Sequence, residues 1–433
     1  MFSMSIEQAS LMKALSYLEF AIGKQTPWLM MNTESTGIVQ MFTTDNNQFA
    51  VLNMITSSGQ SQHEDCPILD FKKFKAIVST IPATEFVDVV DNGNGVDISY
   101  GIRRPTKLNG INAQRPQKVS PIMPSSNEIT IPVDAMIKIS QNASIIVDND
   151  SSATPIFSCM HVSTDQLNVI ASAYDATNKR IFCQTVQSAL QNPKQQYLLE
   201  AQKVLKVAKT VQPFFDTLVV NKDAALIKIE PIDIKNGQAP WFSSLVYYVR
   251  QVVGNYPTTI AKMFKVMPNE FAEVNCDEVM MTLNKVKAIH ENIAGAASTA
   301  IDLHLYNDLM EINYSSTYGE VADEIALENQ VSFDITAKMN YQKLADIVKG
   351  LNSKTIYIGE PNGSPGNYII RNDLSNANTA MFMVAGLSGV NTAPPKSSSV
   401  NTGSTTSGNA SGNVIDNVDE EQQDQNAENN EES

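Results

Sequence analysis

Lysine is the residue whose placement in this chain points most directly to chemistry. Six stretches (5–22, 70–81, 132–147, 200–212, 276–292 and 340–351) have apolar residues at helical spacing, and they hold twelve of the thirty basic residues before position 391. Lys13 and Lys72 fall opposite the apolar stripes of their helices, and Lys206 and Lys209 away from theirs. Compact ammonium charges without interleaved aromatics suit loose attraction to phosphate, whereas base reading and single-strand stacking need other residues. The predicted ligand is the backbone of a duplex.

Other reactive residue types form no machinery. His63, His161, His290 and His304 lack an HExxH or triad-like context, and no GxxxxGK[ST] loop cradles a nucleotide. Asp91-Asn-Gly-Asn-Gly95 sits between alternating strands and reads as a hairpin turn. Asp148-Asn-Asp150 lacks the glycine and distal glutamate of a calcium loop. Asp323-Glu324 reads as a solvated loop. Cys66, Cys159, Cys183 and Cys276 lie far apart, which argues against zinc and disulfides and for buried small side chains. No enzyme, metal or cofactor is expected.

The 433 residues, 42% hydrophobic and 18% charged, suffice for two to four domains. A net charge of −15 would ordinarily oppose nucleic acid, but from Asn391 onward one lysine faces eight acids in a Ser, Asn and Gln-rich tail. Such a segment, 391–433, is expected to be disordered. Neither a signal peptide nor an apolar run long enough to span a bilayer is evident, so a cytoplasmic location is expected.

The six helical stretches must position the lysines, and their order repeats. Ser5 with Gln8 resembles a capping box, Asp70 opens FKKFKAIVSTIP, and further helices start near Pro132, Glu200, Cys276 and Asn340. Within each pair the starts lie 65, 68 and 64 residues apart. Each second helix precedes alternating strands around turn residues, at 86–101, 217–231 and 354–370, and strands also lie between the helices, as at 37–42 and 167–172. The expected class is α+β, with three repeats of two helices on antiparallel sheet: 1–126, 127–255 and 256–390.

This order of segments resembles the bacterial DNA sliding clamp, the β subunit of the replicative DNA polymerase. The resemblance covers roughly 1–390. It is carried by ITIPVDAMIKISQNASIIVDNDSSATPIFSCMHVSTDQLNVIASAYDATNKRIF at 129–182, GNYPTTIAKMFKVMP at 254–268, VSFDITAKMNYQKLADIVKGL at 331–351 and MFMVAGL at 381–387. It implies a head-to-tail homodimeric ring around duplex DNA that tethers the polymerase, admits a clamp loader and performs no catalysis. A repeat-built assembly protein that does not encircle DNA is the alternative.

The resemblance also implies sites. Lys13, Lys24, Lys72, Lys73, Lys138, Lys203, Lys206, Lys209, Lys285 and Lys349 are the expected DNA contacts, Lys24 in a loop after the first helix. A pocket for partner peptides would use Phe157, Tyr174, Arg180, Ile181, Pro257, Val266, Met381, Phe382, Met383 and Val384, and methionines and aromatics suit a groove accepting several peptides. Relative to the family pattern, the loop from Asp175 to Arg180 is two residues longer, and the connector from Tyr256-Pro257 to Met267-Pro268 is extended. The edge strand of the subunit joint is expected near Arg103–Leu108, where Pro105 and the charges are unusual.

Overall fold

Asp70, Asn275 and Asn340 each begin a helix by accepting backbone N–H bonds, from Lys73, from Asp277 and Glu278, and from Gln342 and Lys343. The computed structural model describes residues 2–22, 27–45, 48–59, 65–115, 122–147, 155–175, 180–235, 241–257, 260–291, 299–362, 365–376 and 378–386. Its helices are α1 (Gln8–Leu18), α2 (Phe71–Ser79), α3 (Val133–Ile146), α4 (Ala201–Val211), the one-turn α5 (Ile260–Met263), α6 (Cys276–His290) and α7 (Tyr341–Leu351). None is long and apolar enough to cross a membrane. Replacing Asn340 by Ala should cost about 1 kcal/mol and speed amide exchange in the first turn of α7; unchanged exchange at Gln342 and Lys343 would show the cap to be idle.

One helix start differs from the sequence reading. Ser5 does not cap α1, because Ser3–Glu7 is a strand paired with Phe86–Asp91. The helix begins at Gln8, whose side-chain amide donates to the Val78 carbonyl of α2 at 3.1 Å. Long-range strand pairing has overridden a local signal.

The chain then runs through the same order three times: a strand, a helix, two or three long strands, a strand that leads into a second helix, and three closing strands. The closing strands are Phe86–Asp91, Gly95–Ser99 and Thr106–Asn109, then Phe215–Lys222, Leu226–Ile234 and Phe242–Arg250, then Thr355–Gly359, Asn367–Arg371 and Met381–Ala385. The first hairpin turns at Asn92-Gly93, where Gly93 has φ +88°, a conformation that glycine adopts without strain.

Sheets carry the joints between these repeats. An eight-stranded antiparallel sheet forms because Phe242–Arg250 pairs with Gln48–Ile55 of the first repeat. A seven-stranded sheet forms because Met381–Ala385 pairs with Arg180–Asn192 of the second. With sheets continuous across both joints, Met1–Val390 is one compact unit. A five-stranded sheet in the first repeat ends on Thr106–Asn109, and a four-stranded sheet in the third ends on Gly319–Ala326. Pro105 precedes its edge strand, so it removes no ladder bond.

The helices other than α5 line up on one side of the sheets. In the order α2, α1, α4, α3, α7, α6, each touches the next, including across the joints at α1–α4 and α3–α7. Their apolar faces, such as Phe71, Phe74 and Val78 of α2 and Val204, Val207, Ala208 and Val211 of α4, bury into one core that runs from Phe2 to Val384. The α3–α7 approach depends on Gly350, where a Cβ would collide with Ile145 Cδ1. At the α1–α4 joint Tyr17 stacks on Trp241, with ring centroids 5.9 Å apart. All four cysteines are buried and unpaired.

Candidate nucleic-acid interface and partner face

The helix row leaves its polar side to solvent. Lys13, Lys72, Lys73, Lys138, Lys206, Lys209, Lys285 and Lys349 are exposed there, and Lys203 is half-buried. Two adjoining hollows, of 520 and 390 Å³, run between α4, α3 and α7 and share Ser144 and Leu205. Lys206 and Lys209 line the first; Lys343 and Lys349 line the second, beside a single acid, Asp346. The furrow thus brings together three of the expected lysines and adds Lys343, which sequence reasoning missed. Its signal was present, since Lys343 and Lys349 both sit on α7 away from Leu344, Ile347 and Val348.

Other expected lysines are engaged elsewhere or stand apart. Lys203 binds Glu200 at 2.7 Å, one turn back along the chain. Lys285 reaches Asp323 of the four-stranded sheet at 2.7 Å, and Thr282 donates to the same carboxylate. The hydrogen bonds from Lys285 and Thr282 hold the Asp323 carboxyl below its usual range. Lys13 lies 5.9 Å from the centroid of Phe214 at the α1–α4 joint. Lys24 lies outside the described residues, as does the tail 391–433.

The residues expected to form one peptide pocket divide between two faces of the seven-stranded sheet. Side chains alternate along a strand, so Met381 and Met383 point one way and Phe382 and Val384 the other. Cross-strand register aligns Tyr174, Ile181, Met383 and Ile369 in one row on the face away from the helices, with Ser172, Cys183, Met381 and Arg371 in the next. Phe382 and Val384 instead belong to the main core, where Phe382 packs against Phe182 at 5.4 Å.

Arg180 also turns inward. Its guanidinium binds Asp175, both side chains being almost fully buried, and donates to the carbonyls of Ile145 (3.3 Å) and Ile146 (3.5 Å) at the end of α3. On the outer face a second, separate apolar cluster gathers Ile181, Cys183, Ile369, Met381 and Met383 under Tyr256, Ile260 and Phe264 of the connector. Half-buried Phe157 meets the edge of Tyr174 at 5.8 Å, Pro257 is half-buried, and Val266 is exposed. Among the described residues no group of His, Cys, Asp and Glu could hold a metal ion.

No protein-family model matches the sequence, and no curated protein does. Solved structures with this fold are plain to see. The DNA polymerase sliding clamp from Pseudomonas aeruginosa has a TM-score of 0.74 at 12% identity, covering 89% of this chain and 100% of that one. The DNA polymerase III β subunit from Thermotoga maritima has a TM-score of 0.74 at 14% identity, covering 90% and 100%. The DNA polymerase III β chain from Streptococcus pneumoniae has a TM-score of 0.74 at 15% identity, covering 89% and 100%. At such identities the likeness establishes the fold: this chain has the α+β sliding-clamp fold.

Proposed function

We propose that this chain is a DNA sliding clamp, a non-enzymatic cytoplasmic tether that encircles duplex DNA and keeps a replicative polymerase on its template. The observation that carries the reading is the unbroken helix row, whose solvent side gathers four lysines around one furrow. Screened attraction of lysine to phosphate holds a duplex loosely, so it slides without being read. Residues 1–126, 127–255 and 256–390 are then three domains, each giving two helices to the row.

Ring closure follows from the two unfinished sheets. At both internal joints the last closing strand of one repeat pairs with the third long segment of its predecessor, or with that segment's counterpart: Phe242–Arg250 with Gln48–Ile55, and Met381–Ala385 with Arg180–Asn192. The equivalents without such a joint are Thr106–Asn109 and Gly319–Ala326, at opposite ends of the repeat series. A second copy supplies the missing strand to each, head to tail, and two copies close the ring. Charge favours that pairing, because exposed Arg103, Arg104 and Lys107 flank one edge and exposed Glu320 and Glu324 the other. Glu320→Lys with Glu324→Lys should split the dimer in sedimentation, and adding Arg103→Glu, Arg104→Glu and Lys107→Glu should restore it. A dimer indifferent to both changes removes this joint.

The outer face around Met381 and Met383 is where polymerase and clamp loader peptides bind in this reading. Met383→Ala should weaken binding of overlapping polymerase peptides severalfold in calorimetry while the ring persists; unaltered affinity discards the face. The test of the whole reading is retention on a nicked circular duplex, which a clamp loses when the circle is cut. Retention that survives linearising identifies an assembly protein that does not encircle DNA.

A further inference from the structure

Tyr256, Ile260 and Phe264 lie four residues apart in sequence, Ile260 in the one-turn α5 and the other two outside it, and all three are buried against the outer sheet face. They cover Ile181, Cys183, Ile369, Met381 and Met383, the apolar floor on which partner peptides bind in the reading above. The side chains of Lys262, Met263, Lys265 and Val266, between or just after them, are exposed. This is how a bound amphipathic peptide looks: large apolar anchors in a groove and a polar or mixed back toward water.

The segment is held weakly. Its helix α5 is one turn long, far below the length at which a helix sustains itself, and Pro257 and Pro268 flank the stretch. Its anchors belong to the small outer cluster and not to the main core, so lifting them leaves that core intact. The seat is also imperfect. Tyr256 stacks on His161 with centroids 5.1 Å apart, and both the Tyr256 hydroxyl and His161 Nε2 are buried without a partner at hydrogen-bonding geometry. Ser172 and Gln196 stand beside them.

We propose that Tyr256, Ile260 and Phe264 of the connector are a built-in competitor: they occupy the partner face in the free protein and are displaced by a peptide carrying large apolar side chains at the same spacing. This rests on the outer face being the partner site. Partner affinity is thereby reduced by the fraction of molecules whose face is covered, and any partner able to hold the connector aside gains access.

The experiment uses the full chain, the I260S/F264S double variant and a fluorescein-labelled peptide of residues 254–268. In the wild-type protein the tethered copy has a millimolar effective concentration and excludes the added one. The double variant, its own anchors removed, should bind the peptide at least tenfold more tightly by anisotropy, with its far-UV spectrum unchanged. Equal binding by both proteins, or binding by neither, overturns the competitor. Hydrogen exchange on the wild-type chain gives an independent reading: amides of 260–266 should exchange well ahead of those of Met381–Ala385, and equal protection overturns the proposal. The polymerase-peptide titration reports separately on the face itself. If polymerase peptides bind both proteins with one affinity, the face stands and the competitor falls; if they bind neither while the connector peptide binds the variant, the competitor stands and the polymerase assignment falls.

Discussion

Exchanging Lys206, Lys209 and Lys349 together for glutamate should flatten the salt dependence of duplex binding by about three units of slope. Each lysine facing a phosphate releases close to one counterion, so three such contacts account for about a fortyfold share of the affinity lost between 50 and 200 mM salt. All three side chains are exposed and line one continuous furrow, so the loss belongs to the surface and not to the fold. Lys203→Glu supplies the contrast. Lys203 already pairs with Glu200 at 2.7 Å, so its reversal should change the slope by much less. Binding to circular duplex measured from 50 to 200 mM salt decides it. A triple variant with the wild-type slope means that phosphates do not lie in the furrow.

The two halves of this site were legible in the sequence to different degrees. Helical periodicity is local, and it located the lysine faces because Val204, Val207, Ala208 and Val211 bury one side of α4 and leave Lys206 and Lys209 on the other. What periodicity could not supply was the neighbour. The placing of α4 and α7 on either side of α3, which puts Lys206 and Lys349 along one furrow, is set by tertiary packing at Leu205, Ser144 and Gly350. The capping box at Ser5 failed for a similar reason, since pairing with Asp88 claimed that residue for a strand.

On the face proposed for partner peptides, consecutive residues such as Phe382 and Met383 were grouped as one surface. A strand in a sheet covered on both faces is apolar throughout, so its composition hides the alternation that sends Phe382 to the core and Met383 outward. Sequence also gave no sign that Tyr256, Ile260 and Phe264 would cover the groove, although their fourfold spacing was readable. The threefold order itself was plain, because hairpin turns and helix starts are short-range signals that the three repeats share.

Asp175→Ala should destabilise the chain by about 3–5 kcal/mol, the cost of leaving a buried arginine without its carboxylate. Asp175 and Arg180 sit at the end of the long hairpin Cys159–Asp175 and Arg180–Asn192, and each side chain is less than 5% exposed. Arg180 Nε donates to Asp175 at 3.1 Å, and two further donors reach the last carbonyls of α3, groups that a helix cannot satisfy itself. One guanidinium therefore ties the hairpin to α3 at the edge of the second joint, where Arg180 also pairs through its backbone with Val384. Removing both charges is a different experiment from removing one. Asp175→Leu with Arg180→Met replaces the pair by apolar groups and should recover much of the loss, because two charges no longer need desolvating. Chemical unfolding of the single and double variants, monitored by the far-UV signal, measures the coupling. If Asp175→Ala alone changes stability by less than about 1 kcal/mol, as exposed ion pairs do, the pair is solvated and does not tie the hairpin to α3.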